Sequence, residues 1–213
     1  MLKWFKRGKP HTDTLAPLDQ IPIRSLETTI GTTSILSTEP INDAWARITG
    51  EDPMSERSNF VVRTEMLWFF LHMLNRFAFD IGGPEFRAML QDAIAVNAVK
   101  MMIETSFDPS GAKPGFDVEA WHGRMVTSGV QGMNEAEADY SCCTEVFAES
   151  GVGGFLREDS MIGRLAGRIA REVDQQHNPD LRLLIGTTAV DALIKSGLKQ
   201  QVEQAHQVIG RRQ

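Results

Sequence analysis

One apolar stretch decides the fold of this chain: residues 66–79 read MLWFFLHMLNRFAF. Eleven of these fourteen residues are apolar, and they lie within a longer segment with helical spacing. A helix that is apolar nearly all round is surrounded by other protein. The stretch therefore predicts an apolar central helix, over about residues 54–80, around which the rest of the chain packs.

The bulk composition is that of a globular protein. The chain has 213 residues, of which 42% are hydrophobic and 23% charged, and its net charge is -6. This length allows a sizeable core without disulfides, and the acidic balance argues against a nucleic-acid partner. No run reaches the roughly 20 apolar residues of a transmembrane span. Cys142 and Cys143 are adjacent, and a disulfide between neighbours is strained. We therefore expect free thiols and a cytoplasmic location.

The N-terminal part differs in composition from the rest. Residues 1–38 contain Pro10, Pro17 and Pro22 and many Thr and Ser residues. Proline removes a donor from a β ladder and confines any strand to an edge. We expect an extended, partly ordered N-terminal arm over 1–38 and a helical bundle domain over 39–213. The basic and apolar residues of the segment 1–9 form either a frayed tail or a weak peripheral membrane contact.

Start and stop signals predict six to seven helices, and so an all-α, multi-helix bundle. Proline shortly after Thr38 and Asp52 marks two helix starts. A Gly-Gly-Pro sequence separates the central helix from the next one, predicted over 84–105. The last two helices, 159–177 and 180–209, show the clearest three- and four-residue apolar spacing.

The segment between these pairs carries mixed signals. Asp117 is a suitable N-cap for a helix, but Gly129 and Gly132 weaken that helix in its interior. Asn134 with Glu137 three residues on resembles a capping box. The pattern therefore predicts two shorter helices, with a restart at Asn134.

Three polar residues interrupt the apolar central helix. Glu65, His72 and Arg76 fall within about 40° of one another when successive residues are placed at 100° intervals. They form either the only wet stripe of this helix or a polar line inside a pocket. In the second case, a partly buried His–Arg–Glu set would bind an anion. The pattern identifies no catalytic residue.

A second polar set lies on the helix predicted at 159–177. Arg164, Arg168 and Arg171 share one face, opposite its apolar side. Such a face is either solvated or docks an acidic protein partner. It lacks the interleaved aromatic residues that stack on nucleic-acid bases.

An acid three residues before a histidine, the spacing used by di-iron bundles, occurs three times: Glu119 and His122, Asp174 and His177, Glu203 and His206. These groups do not converge. Glu203 points away from the apolar side of its helix, and a continuous last helix would separate His177 from His206 by roughly 40 Å. Unless Gly186 or Gly197 breaks that helix, no metal or other cofactor is expected.

These observations leave two functions open. The first is a non-enzymatic interaction or assembly protein that binds a protein partner or a second copy of itself through helix surfaces. The second is a small-ligand-binding protein or enzyme with a pocket at Glu65, His72 and Arg76. The burial of His72 distinguishes them, because a buried His72 beside a cavity indicates a pocket and an exposed one indicates a scaffold.

Overall fold

The computed structural model describes residues 20–107, 115–146, 156–157 and 159–210. These ranges contain helices and connecting turns but no strand, and only one isolated β-bridge, between Glu145 and Ser160. The predicted all-α class is confirmed. Within the same ranges, no helix combines the length and the apolar character that crossing a membrane requires.

The helices follow in chain order as α1 (Gln20–Leu36), α2 (Glu39–Thr49), α3 (Glu56–Ser106), α4 (Val118–Ser141), α5 (Met161–Glu172), α6 (Pro179–Ser196) and α7 (Leu198–Gly210). Helix α3 packs against α1, α4, α5 and α7, and α6 packs against α2 and α5. Apolar side chains from all of these helices join in one hydrophobic core. The geometry of α3 therefore decides where the polar side chains of its neighbours meet.

A glycine–proline step bends α3 into two arms. Gly83 has φ 75° and ψ -170°, outside the helical region, and Pro84 follows it directly. The first arm, 56–82, and the second arm, 84–106, correspond to the helices predicted at 54–80 and 84–105. Because of this bend, both arms of α3 contact α4: His72 of the first arm and Arg87 of the second arm each lie beside Glu137.

Two predicted helix starts are confirmed by side-chain caps. Asp117 accepts a hydrogen bond from the backbone N–H of Ala120, and Asn178 accepts one from Leu181. Each cap satisfies a donor that the first turn of a helix leaves without a partner. These caps fix where α4 and α6 begin.

The extended arm predicted for the N-terminus is wrong for residues 20–36, which form α1. Ile23, Leu26 and Ile30 recur at three- and four-residue spacing and are at most 3% exposed. Burial of this face outweighs the modest helix propensity of a Thr-rich sequence. Residues 1–19, and with them the proposed membrane contact of the first nine, lie outside the described residues.

Helix α4 is continuous, so the predicted restart at Asn134 is wrong. Two of its glycines, Gly129 and Gly132, are points of close approach to α3. A Cβ at Gly132 would overlap the indole of Trp68, and one at Gly129 would lie 2.7 Å from Val99 Cγ1. The absence of side chains here lets two helices pack closely, and this packing offsets the weak helix propensity of glycine.

The long helix predicted at 180–209 is broken at Gly197, whose left-handed conformation (φ 59°) ends α6. The break changes the register of the apolar face. Ile194, near the end of α6, is 71% exposed, whereas Leu198 and Val202 of α7 are buried. Glycine adopts this conformation without strain, so one residue separates two helices.

Candidate functional site

An open cleft of about 400 Å³ lies between α3 and the C-terminal end of α4, and we refer to it as the α3–α4 cleft. Five of its residues lie three or four positions apart on the first arm of α3, which places them on one helix face. The second arm adds one residue, the end of α4 adds two, and Cys143 follows shortly after α4. The cleft is lined by His72, Asn75, Arg76, Phe79, Asp80, Arg87, Glu137, Ser141 and Cys143.

Glu137 of α4 joins the two arms of α3. Its Oε2 lies 2.7 Å from His72 Nδ1 and 3.5 Å from Asn75 Nδ2, and its Oε1 accepts a 3.1 Å hydrogen bond from Arg87. An ionised carboxylate only accepts hydrogen bonds, so His72 Nδ1 carries the proton. Burial alone would raise the pKa of Glu137, but the hydrogen bond and charge of His72, together with Arg87 and Asn75, hold the pKa below its ordinary value.

His72 is buried, and its inner side contacts the core. The residue is 4% exposed, and its ring lies 5.3 Å from the ring of Tyr140, centroid to centroid. Neither His72 Nε2 nor the Tyr140 hydroxyl has a hydrogen-bond partner among the described residues, and both atoms are buried. Burial also raises the pKa of Tyr140 well above its ordinary value, so its hydroxyl stays protonated.

Arg76 reaches past the cleft toward α5. Its Nη1 donates a 3.2 Å hydrogen bond to the carbonyl of Cys143 and lies 3.7 Å from Met161 Sδ. These two contacts hold the guanidinium in place. They use only part of its five N–H donors, so Nε and Nη2 are left for a further acceptor.

Glu65, the third residue of the predicted set, lies outside the cleft. It is 3% exposed, and Arg168 of α5 binds it through two parallel hydrogen bonds of 2.8 and 3.0 Å. Arg168 also pairs with Asp139 and stacks over Trp68, with its guanidinium carbon 5.8 Å from the ring centre. Burial raises the pKa of Glu65 above its ordinary value, although the hydrogen bonds and charge of Arg168 oppose the rise.

The structure therefore separates the residues that the sequence grouped together. The wet-stripe interpretation is wrong for Glu65 and His72, because both are buried. Their shared helix face is turned toward α4 and α5, where polar partners replace water. Two distinct sites result, an ion-pair cluster around Glu65 and the cleft around His72 and Arg76.

The arginine face of α5 is not uniformly solvated. The side chain of Arg168 is 16% exposed and pairs with Glu65 and Asp139 of its own chain, so little of its surface is open to a protein partner. Arg164 is partly buried, and its Nη2 lies 3.7 Å from Cys142 Sγ. Arg171 is exposed. The three arginines differ in exposure because the face opposite the α5 core also meets α3 and α4.

Sequence reasoning missed Glu137, Arg87 and Asp80. Glu137 was interpreted as part of a capping box, since it follows Asn134 by three residues. Arg87 reaches Glu137 only because α3 bends at Gly83. Asn75 was the one available signal, since an amide inside an apolar helix needs a polar partner.

The acid–histidine pairs do not form a common centre. His122 Nε2 lies 3.5 Å from Glu104, and the ring of His206 packs on Phe86 at 4.9 Å between centroids. The break at Gly197 removes the distance argument against convergence. Even so, the part of the chain that the structure describes holds no group of three His, Cys, Asp or Glu side chains suited to a metal ion.

Comparisons with protein-family models, with curated proteins and with solved structures give no match to this chain.

Proposed function

We propose that this protein binds a small ligand with an anionic group in the α3–α4 cleft. The observation that carries the proposal is the position of His72, which is 4% exposed and also lines the cleft. A buried His72 beside a cavity favours a ligand pocket, whereas an exposed His72 would have favoured a scaffold. The cleft volume of about 400 Å³ is within the usual range for small-molecule sites.

The charge of Arg76 supports a ligand with an anionic group. Glu137 already accepts hydrogen bonds from His72, Asn75 and Arg87, so these groups compensate one another. Arg76 donates to a backbone carbonyl, which carries no charge to neutralise it. A ligand carboxylate or phosphate would accept charge-assisted hydrogen bonds from its free donors.

The proposed role is binding without catalysis. A general base must reach the proton that it removes, and His72 Nε2 is buried away from solvent. In this interpretation α3 remains the apolar central helix, whose polar face becomes one wall of the site. Free thiols at Cys142 and Cys143 support the expected cytoplasmic location.

Thermal-shift and calorimetric titrations with a panel of small carboxylates and inorganic phosphate test the proposal. At least one of these probes should bind, and Arg76→Gln should weaken it about tenfold or more, because a charge-assisted hydrogen bond contributes ~1.5–3 kcal/mol. Arg124→Gln is the matched control, since Arg124 is an exposed arginine outside the cleft. No binding across the panel, or equal binding by Arg76→Gln, would contradict the proposed function.

A second candidate function is association through helix surfaces, with a protein partner or as a homo-oligomer. It rests on the outer face of α6, where Leu183 is 39% and Ile194 71% exposed, three helical turns apart. Exposed apolar residues on one face favour a partner. Light scattering over a dilution series should then show a species larger than the monomer, and Ile194→Glu should abolish it. A monomer at every concentration removes self-association.

A further inference from the structure

We infer that the ligand of the α3–α4 cleft is a zwitterion, an α-amino acid with an apolar side chain. Its carboxylate binds Arg76 and its ammonium group binds Asp80. This inference rests on the proposed function and assigns its ligand class.

The first supporting observation is that Arg76 and Asp80, two opposite charges on neighbouring turns of α3, form no ion pair with each other. Arg76 and Asp80 are one helical turn apart on α3, a spacing at which such side chains commonly pair. Both line the cleft, yet no ion pair joins them, and Asp80 pairs with no other described residue. Two complementary charges therefore face one cavity without neutralising each other.

The contacts of Arg76 explain why the pair stays open. Its Nη1 is hydrogen-bonded to the Cys143 carbonyl and lies beside Met161 Sδ, so the guanidinium is directed toward α5. Asp80 is one turn further along the helix and exposed. In this orientation the guanidinium does not pair with Asp80. A ligand with a positive and a negative group bridges the two charges and leaves them in place.

The other charges of the cleft do not compete for the ligand. The Glu137 carboxylate accepts from His72, Asn75 and Arg87, which uses both of its oxygens. Among the charged groups that line the cleft, Arg76 and Asp80 are thus the two without a charged partner. One cationic and one anionic group match one ligand carboxylate and one ligand ammonium.

Phe79 indicates the character of the ligand's third group. It lies directly before Asp80, lines the same cleft and is 51% exposed. An exposed aromatic ring at the edge of a charged cleft offers an apolar surface for a side chain, and aromatic side chains pack well against it. Phenylalanine is therefore the probe of choice.

Calorimetric titration with three matched probes tests the inference: L-phenylalanine, 3-phenylpropanoate, which lacks the amino group, and 2-phenylethylamine, which lacks the carboxylate. L-phenylalanine should bind about tenfold tighter than either of the others, since each lacks one charge-assisted contact. Asp80→Asn should reduce its affinity to that of 3-phenylpropanoate and leave 3-phenylpropanoate unaffected. Asp92→Asn, an exposed acid of α3 outside the cleft, is the control and should change neither.

The outcomes separate this inference from the function on which it rests. If 3-phenylpropanoate binds as tightly as L-phenylalanine and loses affinity in Arg76→Gln, the zwitterion is excluded and the anion site stands. If Asp80→Asn leaves the affinity for L-phenylalanine unchanged, the assignment of Asp80 is overturned. If none of the three probes binds, the inferred ligand class is overturned, and failure of the carboxylate and phosphate panel as well overturns the proposed function.

Discussion

Arg168 joins three helices through its side chain: it contacts Glu65 and Trp68 of α3 and Asp139 of α4 from its position on α5. It binds Glu65 through two hydrogen bonds, pairs with Asp139 and lies over the ring of Trp68. Ionised groups are buried in proteins only when they are paired. The stability of this region therefore depends on the two ends of the pair being present together.

Removing Arg168 alone should destabilise the protein strongly. Arg168→Met leaves Glu65 buried without its cation, and breaking a buried pair in this way costs about 3–5 kcal/mol. The double variant Glu65→Gln with Arg168→Met should recover a large part of that loss, because no buried charge is then left unpaired. Asp139 also loses its partner, but its side chain is 46% exposed and water solvates it. Urea unfolding at neutral pH measures the free energy of unfolding of the single and the double variant.

Arg171→Met is the matched control, because Arg171 is exposed on the same helix. It should change the free energy of unfolding by no more than about 0.5 kcal/mol. Equally small effects of Arg168→Met and Arg171→Met would mean that Arg168 lies on a solvated face, as its position in the sequence suggests.

The free energy of unfolding should depend on pH through the ionisation of Glu137. The folded-state pKa of this carboxyl lies below its ordinary value of 4.5. Its stabilising contribution is therefore fully present above the pKa of the unfolded chain and is lost as the pH falls through the lower, folded value. Between about pH 5 and pH 3, the free energy of unfolding should fall more steeply in the wild type than in Glu137→Gln. Parallel curves from urea titrations would exclude Glu137 as a source of acid sensitivity.

At the scale of residues, the sequence indicated only part of the cleft. His72 and Arg76 were identifiable because both interrupt an apolar helix on one face. Glu137 and Arg87 were not, since their meeting depends on the bend at Gly83 and on which helices pack together. Periodicity within a single sequence describes the faces of each helix and carries no information on which faces meet.

At the scale of elements, three interior glycines are helix contacts. Gly31 of α1 meets Met101, while Gly129 and Gly132 of α4 meet Val99 and Trp68 of α3. Sequence reasoning interpreted the two glycines of α4 as weak points, because glycine has a low helix propensity. Propensity is a local property, whereas close approach between two helices is decided by tertiary packing.

Two glycines of α4 allow a direct test of this interpretation. Gly132→Ala should destabilise the protein by about 1–3 kcal/mol, since its methyl group would force the Trp68 ring to move. Gly123→Ala in the same helix should stabilise it by about 0.5–1 kcal/mol, because a Cβ there meets nothing within 4 Å and only the gain in helix propensity remains.

Urea midpoints of both variants make the comparison. Stabilisation by both substitutions would show that α4 does not approach α3 as closely as described here, and Trp68 would then have space beside it. Destabilisation by Gly123→Ala would show that position 123 contacts a neighbour.

At the scale of the whole molecule, the all-α class was predictable, because apolar spacing and helix caps can be recognised from the local sequence. The boundary at residue 38 was not. The composition of residues 1–38 favoured an extended arm, but Ile23, Leu26 and Ile30 bury one face of α1 against the core. Burial of a helix face is a property of the assembled bundle and decides against local composition.

Helix α1 should therefore unfold together with the rest of the protein. Leu26 is fully buried, so Leu26→Ala should lower the free energy of unfolding by about 2–5 kcal/mol through lost burial and the cavity left behind. Ile21 lies on the same helix and is 62% exposed, so Ile21→Ala should change it by no more than about 0.5 kcal/mol. Far-UV circular dichroism and tryptophan fluorescence should give coincident urea transitions for the wild type, and Leu26→Ala should shift both equally, as expected for one cooperative unit. A small effect of Leu26→Ala, or a separate early transition in the dichroism alone, would show that α1 is an independent arm and would restore the boundary at residue 38.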